Sequence, residues 1–217
     1  MRFLNETLIE LIRERFGTPV YVYDQRELEA AADRVLAFPA PGRFVGRFAM
    51  KALPTAAVLR ILDARGLHVD ASSGFEAERA LRAGVAPEKI QITAQELPRD
   101  LKGLVQRGVL FNACSLHQLR TYGELFPGRA VSVRINPGLG SGHNNRTNVG
   151  GPSSSFGIWH EKLDEVIAIP ATSTFGSRAC TPTSGRAATG GLEALRFDDP
   201  RDRETDARAR AALPRRR

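Results

Sequence analysis

Over the first 168 positions, short β-branched or apolar runs alternate with longer stretches whose apolar residues return every third or fourth position. That is the rhythm of repeated βα units around a parallel sheet. Leu4, Leu8, Leu11 and Ile12 mark a first helix that Gly17-Thr18-Pro19 ends, and Val20 to Tyr23 reads as a short strand. Asp24 is placed to N-cap a helix running to about Leu36, before Pro39-Ala40-Pro41-Gly42 breaks the chain. Regular units follow. Phe44 to Ala49, Leu67 to Ala71, Lys89 to Thr93 and Val109 to Ala113 suit strands. Thr55 to Ala64, Phe75 to Ala83, Pro98 to Arg107 and Leu116 to Phe126 suit the helices between and after them. Gly84 and Gly108 stand just past two of those helices, where the backbone commonly turns left-handed. Ala130 to Asn136 is a fifth strand, with Val131, Val133 and Ile135 on one face and Ser132, Arg134 and Asn136 on the other.

Five such units, with no Gly-x-Gly-x-x-Gly after the first strand, predict a (β/α) barrel rather than a doubly wound sheet. The rhythm stops near residue 168. Glu161 to Ile167 begins a helix, but residues 169–217 hold 17 Ser, Thr, Gly or Pro among 49 positions, and only Ile169, Leu192, Leu195 and Leu213 as large aliphatics. A segment with so little to bury cannot offset its ordering entropy. The expected organisation is a lead-in over residues 1–42, a partial (β/α)8 barrel over 43–168, and a disordered Arg-rich tail over 169–217. A whole barrel of this kind needs about 250 residues, so the chain is expected to stop after five or six of the eight strands.

The formal charge of +7 raises the question of nucleic acid, and its distribution answers it. Residues 1–168 carry 21 basic and 18 acidic side chains, whereas residues 169–217 carry 10 Arg and 6 acids. The surplus is concentrated in the last segment, which has a single aromatic residue, Phe197, between its arginines, so nucleic acid is not the expected partner. Two cysteines, Cys114 and Cys180, are too few for a disulfide framework and favour a reducing, cytoplasmic setting. No uncharged stretch approaches the ~20 apolar residues of a membrane span. Glu6, Glu10 and Glu14 interrupt any signal-peptide core at the start. His68, His117, His143 and His160 lack ligand spacing, so no metal site is expected.

In a barrel, ligands meet the C-terminal ends of the strands, so residues there are the first candidates. Lys51 directly follows the strand that ends in Phe48-Ala49-Met50. It is either a solvated surface lysine or a partly desolvated amine able to form a Schiff base. The chain has 4 Lys against 27 Arg, which favours a lysine chosen for chemistry that guanidinium cannot perform. Asp70 ends the next strand, and Ser73, Gly74 and Glu76 open the helix after it, as an anion site or simply an N-cap. Arg134 has the parity of the barrel interior, where it needs an acidic or phosphate partner, unless it forms a structural ion pair. Gly138-Leu139-Gly140-Ser141-Gly142 with Gly150-Gly151 lacks a Walker ending and reads as a flexible active-site loop.

Five motifs occur in order: Thr18-Pro19-Val20-Tyr21-Val22-Tyr23-Asp24, Phe48-Ala49-Met50-Lys51-Ala52, His68-Val69-Asp70-Ala71-Ser72-Ser73-Gly74-Phe75-Glu76, Arg134-Ile135-Asn136-Pro137-Gly138 and Ser155-Phe156-Gly157-Ile158. Together they resemble, from about residue 17 to 168, the N-terminal half of the diaminopimelate decarboxylase family, among the pyridoxal-phosphate decarboxylases with a barrel of the alanine racemase type. The resemblance implies that Lys51 holds pyridoxal 5′-phosphate through a Schiff base, and that Asp70, Glu76 and Arg134 line the cofactor pocket. It also implies decarboxylation of an amino acid, meso-diaminopimelate to lysine first, and a homodimer for the full-length family. A racemase or another decarboxylase of the same superfamily is the second reading, and a non-catalytic fragment the third. The sequence departs from the family in reading Ser155-Phe156-Gly157 where many relatives have Lys-Phe-Gly, and no His-x-Gly-Ser follows Phe156. With those parts missing, the chain alone is expected to turn over little.

Overall fold

Five helices of the computed structural model start where a side chain accepts from a free backbone N–H group of the first turn. The structure describes residues 3–40, 44–139, 150–152, 154–173 and 179–182. Asn5 accepts from Leu8 N at the head of α1 (Glu6–Phe16), and Asp24 accepts from Arg26 N at the head of α2 (Gln25–Leu36). Ser73, Asp100 and Ser115 do the same for α4 (Gly74–Arg82), α5 (Leu101–Gln106) and α6 (Leu116–Leu125). Helix α3 spans Ala56–Ala64, and α7 spans Leu163–Ser173 behind a 3₁₀ turn at His160–Lys162. Gly84 and Gly108 adopt φ of 95° and 104° after α4 and α5, which frees those helices to turn back at once into strands.

The strands are β1 (Arg47–Ala49), β2 (His68–Ala71), β3 (Ile90–Ile92), β4 (Leu110–Ala113), β5 (Ser132–Asn136) and β6 (Ile158–Trp159). They lie side by side in sequence order, all parallel. A further strand, β7 (Ala179–Pro182), pairs in parallel with the Ser132–Ile135 part of β5. This is an open, partial barrel sheet: six successive strands, not closed on themselves.

Register gives the sheet two unlike faces. Val69 pairs with Ile90, Ala71 with Ile92, Ile92 with Phe111 and Ala113 with Val133. These residues form the core against the helices, with Leu59, Ala77, Ala80, Leu104 and Leu119 from the helical side. Burying one such aliphatic side chain is worth roughly 1.5–3 kcal/mol, so this face holds the sheet together. A smaller cluster of Ala32, Val58, Leu62 and Leu67 fastens α2 to α3 and β2. The alternate positions, Arg47, His68, Asp70, Gln91, Asn112 and Ser132, share the opposite face and are polar.

Three expectations change. Val20 to Tyr23 forms no strand: the backbone is extended, but among the described residues no strand pairs with it, and Tyr21 is 89% exposed. Alternation favours extension, yet a strand also needs a ladder partner. Helix α1 buries none of its residues, although Leu4, Leu8 and Ile12 are half-covered as their spacing predicts. The final helix begins later than Glu161 and runs past residue 168 to Ser173. Within 169–217, that helix end and β7 are described, and the remainder of the proposed tail lies outside the described residues, as do 140–149 of the glycine-rich loop.

Candidate functional site

Lys51 sits in a 3₁₀ turn, Met50–Ala52, immediately beyond the C-terminal end of β1. The turn is held by Met50, which is fully buried, and by the Leu53 N–H donating to Met50 O. The Lys51 side chain itself is exposed rather than partly desolvated. The open sheet puts no described element over it, so the burial expected from a closed barrel mouth is absent here. Its amine makes no hydrogen bond or ion pair with a described residue, unlike Lys89, bridged to Asp63 at 2.8 Å, and Lys162, which faces Glu165 at 3.5 Å.

Asp70 lies next to this turn in the sheet, since it pairs in register with Ala49 on one side and Gln91 on the other. It is half-buried and accepts a 2.6 Å hydrogen bond from the Thr93 hydroxyl. Burial pushes its carboxyl above the ordinary carboxylate range; the Thr93 hydrogen bond and the charges of Arg47, Arg134 and Lys51 act the other way. Arg134 has the interior parity that its strand pattern predicted and is only 6% exposed. Its guanidinium carbon lies 4.7 Å from the centre of the Phe156 ring, a cation–π contact. Burial pulls Arg134 and Arg47 below their ordinary value, and the negative charge of Asp70 opposes this in both. Lys51, Asp70 and Arg134 are thus electrostatically joined across β1, β2 and β5.

Glu76 is placed differently. Its Oε2 accepts from the Ser72 N–H at 2.7 Å, while the Ser73 hydroxyl accepts from the Glu76 N–H at 3.2 Å. These reciprocal bonds form a cap on α4, so the carboxylate is engaged with the turn that follows Asp70. Asn136 performs a similar task after β5: its Oδ1 accepts from Gly138 N and Gly151 N, and its Nδ2 donates to Gly151 O. That fixes both described ends of the glycine-rich loop.

Four further residues, Arg47, Thr93, Asn112 and Cys114, belong to the same polar face. Arg47 donates to Lys89 O and lies 3.4 Å from His68 Nδ1. The Asn112 amide nitrogen donates to Thr93 Oγ1 at 3.3 Å, and the Cys114 thiol donates to Asn112 O at 3.4 Å. All four were present in the sequence as polar residues at the parity of Asp70 and Arg134, and extending that parity from β5 to β1, β3 and β4 would have found them. Among the described residues, no three His, Cys, Asp or Glu gather as a metal site. No helix there is long and apolar enough to cross a membrane.

Residues 26–173 match the family model described as "Pyridoxal-dependent decarboxylase, pyridoxal binding domain". The chain is 42% identical over 158 residues to diaminopimelate decarboxylase of Streptomyces coelicolor, covering 70% of this chain and 35% of that protein. It is 36% identical over 169 residues to the enzyme of that name from Escherichia coli K12, covering 76% of this chain and 39% of that one. A crystal structure of diaminopimelate decarboxylase superposes with a TM-score of 0.73 at 32% identity, covering 83% of this chain and 43% of that chain. The chain therefore spans well under half the length of the relatives it matches.

Proposed function

The chain belongs to the pyridoxal-dependent decarboxylases through their pyridoxal binding domain, and on that premise we propose that it is the cofactor-holding portion of an amino-acid decarboxylase. The preferred substrate is meso-diaminopimelate, which yields lysine; the names of the relatives support this choice. The observation that carries the reading is the placement of Lys51, a lysine with no ion pair to a described residue, in the turn beside Asp70, within the field that also includes Arg134. A free amine, a half-buried carboxylate and two interior guanidinium groups are a donor set that fits an anionic aldehyde such as pyridoxal 5′-phosphate.

When bound, the cofactor supplies an electrophilic carbonyl and a ring that takes up the electron pair left by a departing carboxylate. Lys51 provides the amine that anchors it. Asp70 offers a fixed acceptor close to that amine, and Glu76 holds the turn behind Asp70 in place. Arg134, over the Phe156 ring, and Arg47 make the polar face electropositive, which suits a phosphate-bearing group and a carboxylate substrate. A homodimeric assembly and a cytoplasmic location accompany this reading; the buried, unpaired thiol of Cys114 accords with a reducing compartment.

Addition of pyridoxal phosphate is expected to give a visible absorbance that borohydride fixes covalently to Lys51, mapped by peptide mass. Lys51→Ala abolishes the fixed adduct. An adduct that survives Lys51→Ala at the same position in the digest, or none in the unsubstituted protein, refutes the assignment. In the loaded protein, meso-diaminopimelate should perturb that absorbance at lower concentration than ornithine or arginine; the reverse order would point to another decarboxylase branch.

A further inference from the structure

One line of hydrogen bonds crosses the polar face of the sheet from β4 to β2, and its polarity is set by which group can donate. Thr93 follows β3 at the parity of Gln91, and its backbone N–H is tied to Ala71 O at 2.8 Å, which fixes the residue beside Asp70. Its hydroxyl has one proton, and that proton goes to Asp70 Oδ1 at 2.6 Å. A hydroxyl rotor is free to swing elsewhere unless its lone pairs are engaged. Here they are: the Asn112 Nδ2 donates to Thr93 Oγ1 at 3.3 Å. Asn112 is 1% exposed, so this amide is not free to turn toward water.

The far end of the line is open. Asn112 Oδ1 is buried and has no hydrogen-bond partner among the described residues. A buried carbonyl oxygen without a donor is costly, and the engaged group of this amide is the nitrogen that donates to Thr93.

We propose that Thr93 and Asn112 are positioning residues for Asp70: Asn112 orients the Thr93 hydroxyl, and Thr93 fixes the direction and charge of the Asp70 carboxylate beside the turn that carries Lys51. The proposal rests on the assignment of Asp70 to the cofactor site for its functional meaning, but its physical content is testable in the protein without cofactor. The charged groups that act on Asp70 come from several elements: Arg47 on β1, Lys51 in the turn after it and Arg134 on β5, while the Cys114 thiol after β4, itself raised by Asp70, stays neutral. None of these is altered by changing Thr93 to Val or Ser, so a change in Asp70 in those variants can be assigned to the line itself. A protonated Asp70 keeps one acceptor oxygen and gains one donor; where that donor is given to Thr93 Oγ1, the line reverses, with the Thr93 hydroxyl turning to Asn112 Oδ1 after an amide flip. The unpartnered oxygen is then the acceptor that the reversed line requires.

The test is titration of the Asp70 carboxyl by carbon-detected NMR in the full 217-residue protein, assigned with Asp70→Asn. Thr93→Val should raise the midpoint by about one pH unit, the size expected for loss of one hydrogen bond to a carboxylate. Thr93→Ser, which keeps the hydroxyl, should restore it. Asn112→Asp should also raise it, because the new carboxylate competes for the Thr93 proton. A midpoint unmoved in Asn112→Asp, or in Thr93→Val with the dispersed spectrum of the folded protein, overturns the proposal; so does Thr93→Ser failing to restore it. Parallel pyridoxal phosphate titrations, read by absorbance, should show weaker loading of Asn112→Asp than of the unsubstituted protein. If no variant, the unsubstituted chain included, takes up the cofactor while the carboxyl midpoints move as described, the positioning role stands and the proposed function fails.

Discussion

Gly157 shows how closely the residues around Arg134 are fitted. Its φ is +81°, and a Cβ there would lie 3.0 Å from Asn136 N and 3.1 Å from Arg134 O, both backbone atoms of β5 that cannot move aside cheaply. Gly157→Ala is therefore expected to lose about 1–3 kcal/mol from left-handed strain plus crowding, read as a lower urea midpoint. An unchanged midpoint would show that the Phe156–Gly157 turn yields easily. Cys114 gives a second prediction. Burial pushes its thiol up to about 11 from an ordinary 9.0. In a Cys180→Ser background, it should resist iodoacetamide at pH 8.5 until urea unfolds the chain. The linkage has a definite sign: above pH 9 the unfolded thiol loses its proton first, so stability falls as pH rises from 9 toward 11 and is unaffected below. Tyr122 is also raised by burial, so the contribution of Cys114 is the difference from Cys114→Ala across that range. Rapid alkylation of the folded protein would contradict the burial argument.

At the scale of elements, a single side chain clasps α6 to two strand ends. Gln118 is 1% exposed; its Nε2 donates to Ala94 O and Gln95 O after β3, and its Oε1 accepts from Cys114 N after β4. Gln118→Leu keeps the volume but strands three backbone groups, and should cost roughly 2–4 kcal/mol in urea unfolding. A loss below about 0.5 kcal/mol, the size of an ordinary surface substitution, would mean that water replaces the clasp. Such a glutamine is invisible to periodicity, which explains much of what the sequence did and did not disclose. Caps and helix ends were legible because they depend on local chemistry: Asp24 heads α2, and Gly84 and Gly108 follow α4 and α5 as expected. Arg134 was legible because β5 alternates cleanly. Asn112 was harder to read, since Leu110-Phe111-Asn112-Ala113-Cys114 taken alone is a nearly continuous buried run, and only the parity carried over from β5 picks it out. Val20 to Tyr23 misled for the complementary reason, because alternation reports backbone extension and carries no information about a partner strand.

For the molecule as a whole, the order of the strands matters more than their number. The sheet begins at β1, whose outer side has no neighbour among the described residues, and Phe44 and Val45 just before it are 40% and 38% exposed. Nearby on the chain, Leu11, Phe16 and Tyr21 are exposed at 55%, 65% and 89%. A parallel edge with unpaired N–H and C=O groups beside apolar side chains is a template for another chain. The net charge of +7 opposes that contact by repulsion between copies. Repulsion of this kind is screened within about 10 Å at 0.1 M salt, whereas strand pairing and apolar burial are not. Self-association in sedimentation velocity should therefore grow with protein concentration and, at fixed concentration, with added salt. Val45→Lys, which places a charge at the β1 edge, should weaken it at every salt concentration. A monomer at all concentrations, or association that salt abolishes, would show that the edge is not the contact and that charge pairs hold the copies together instead.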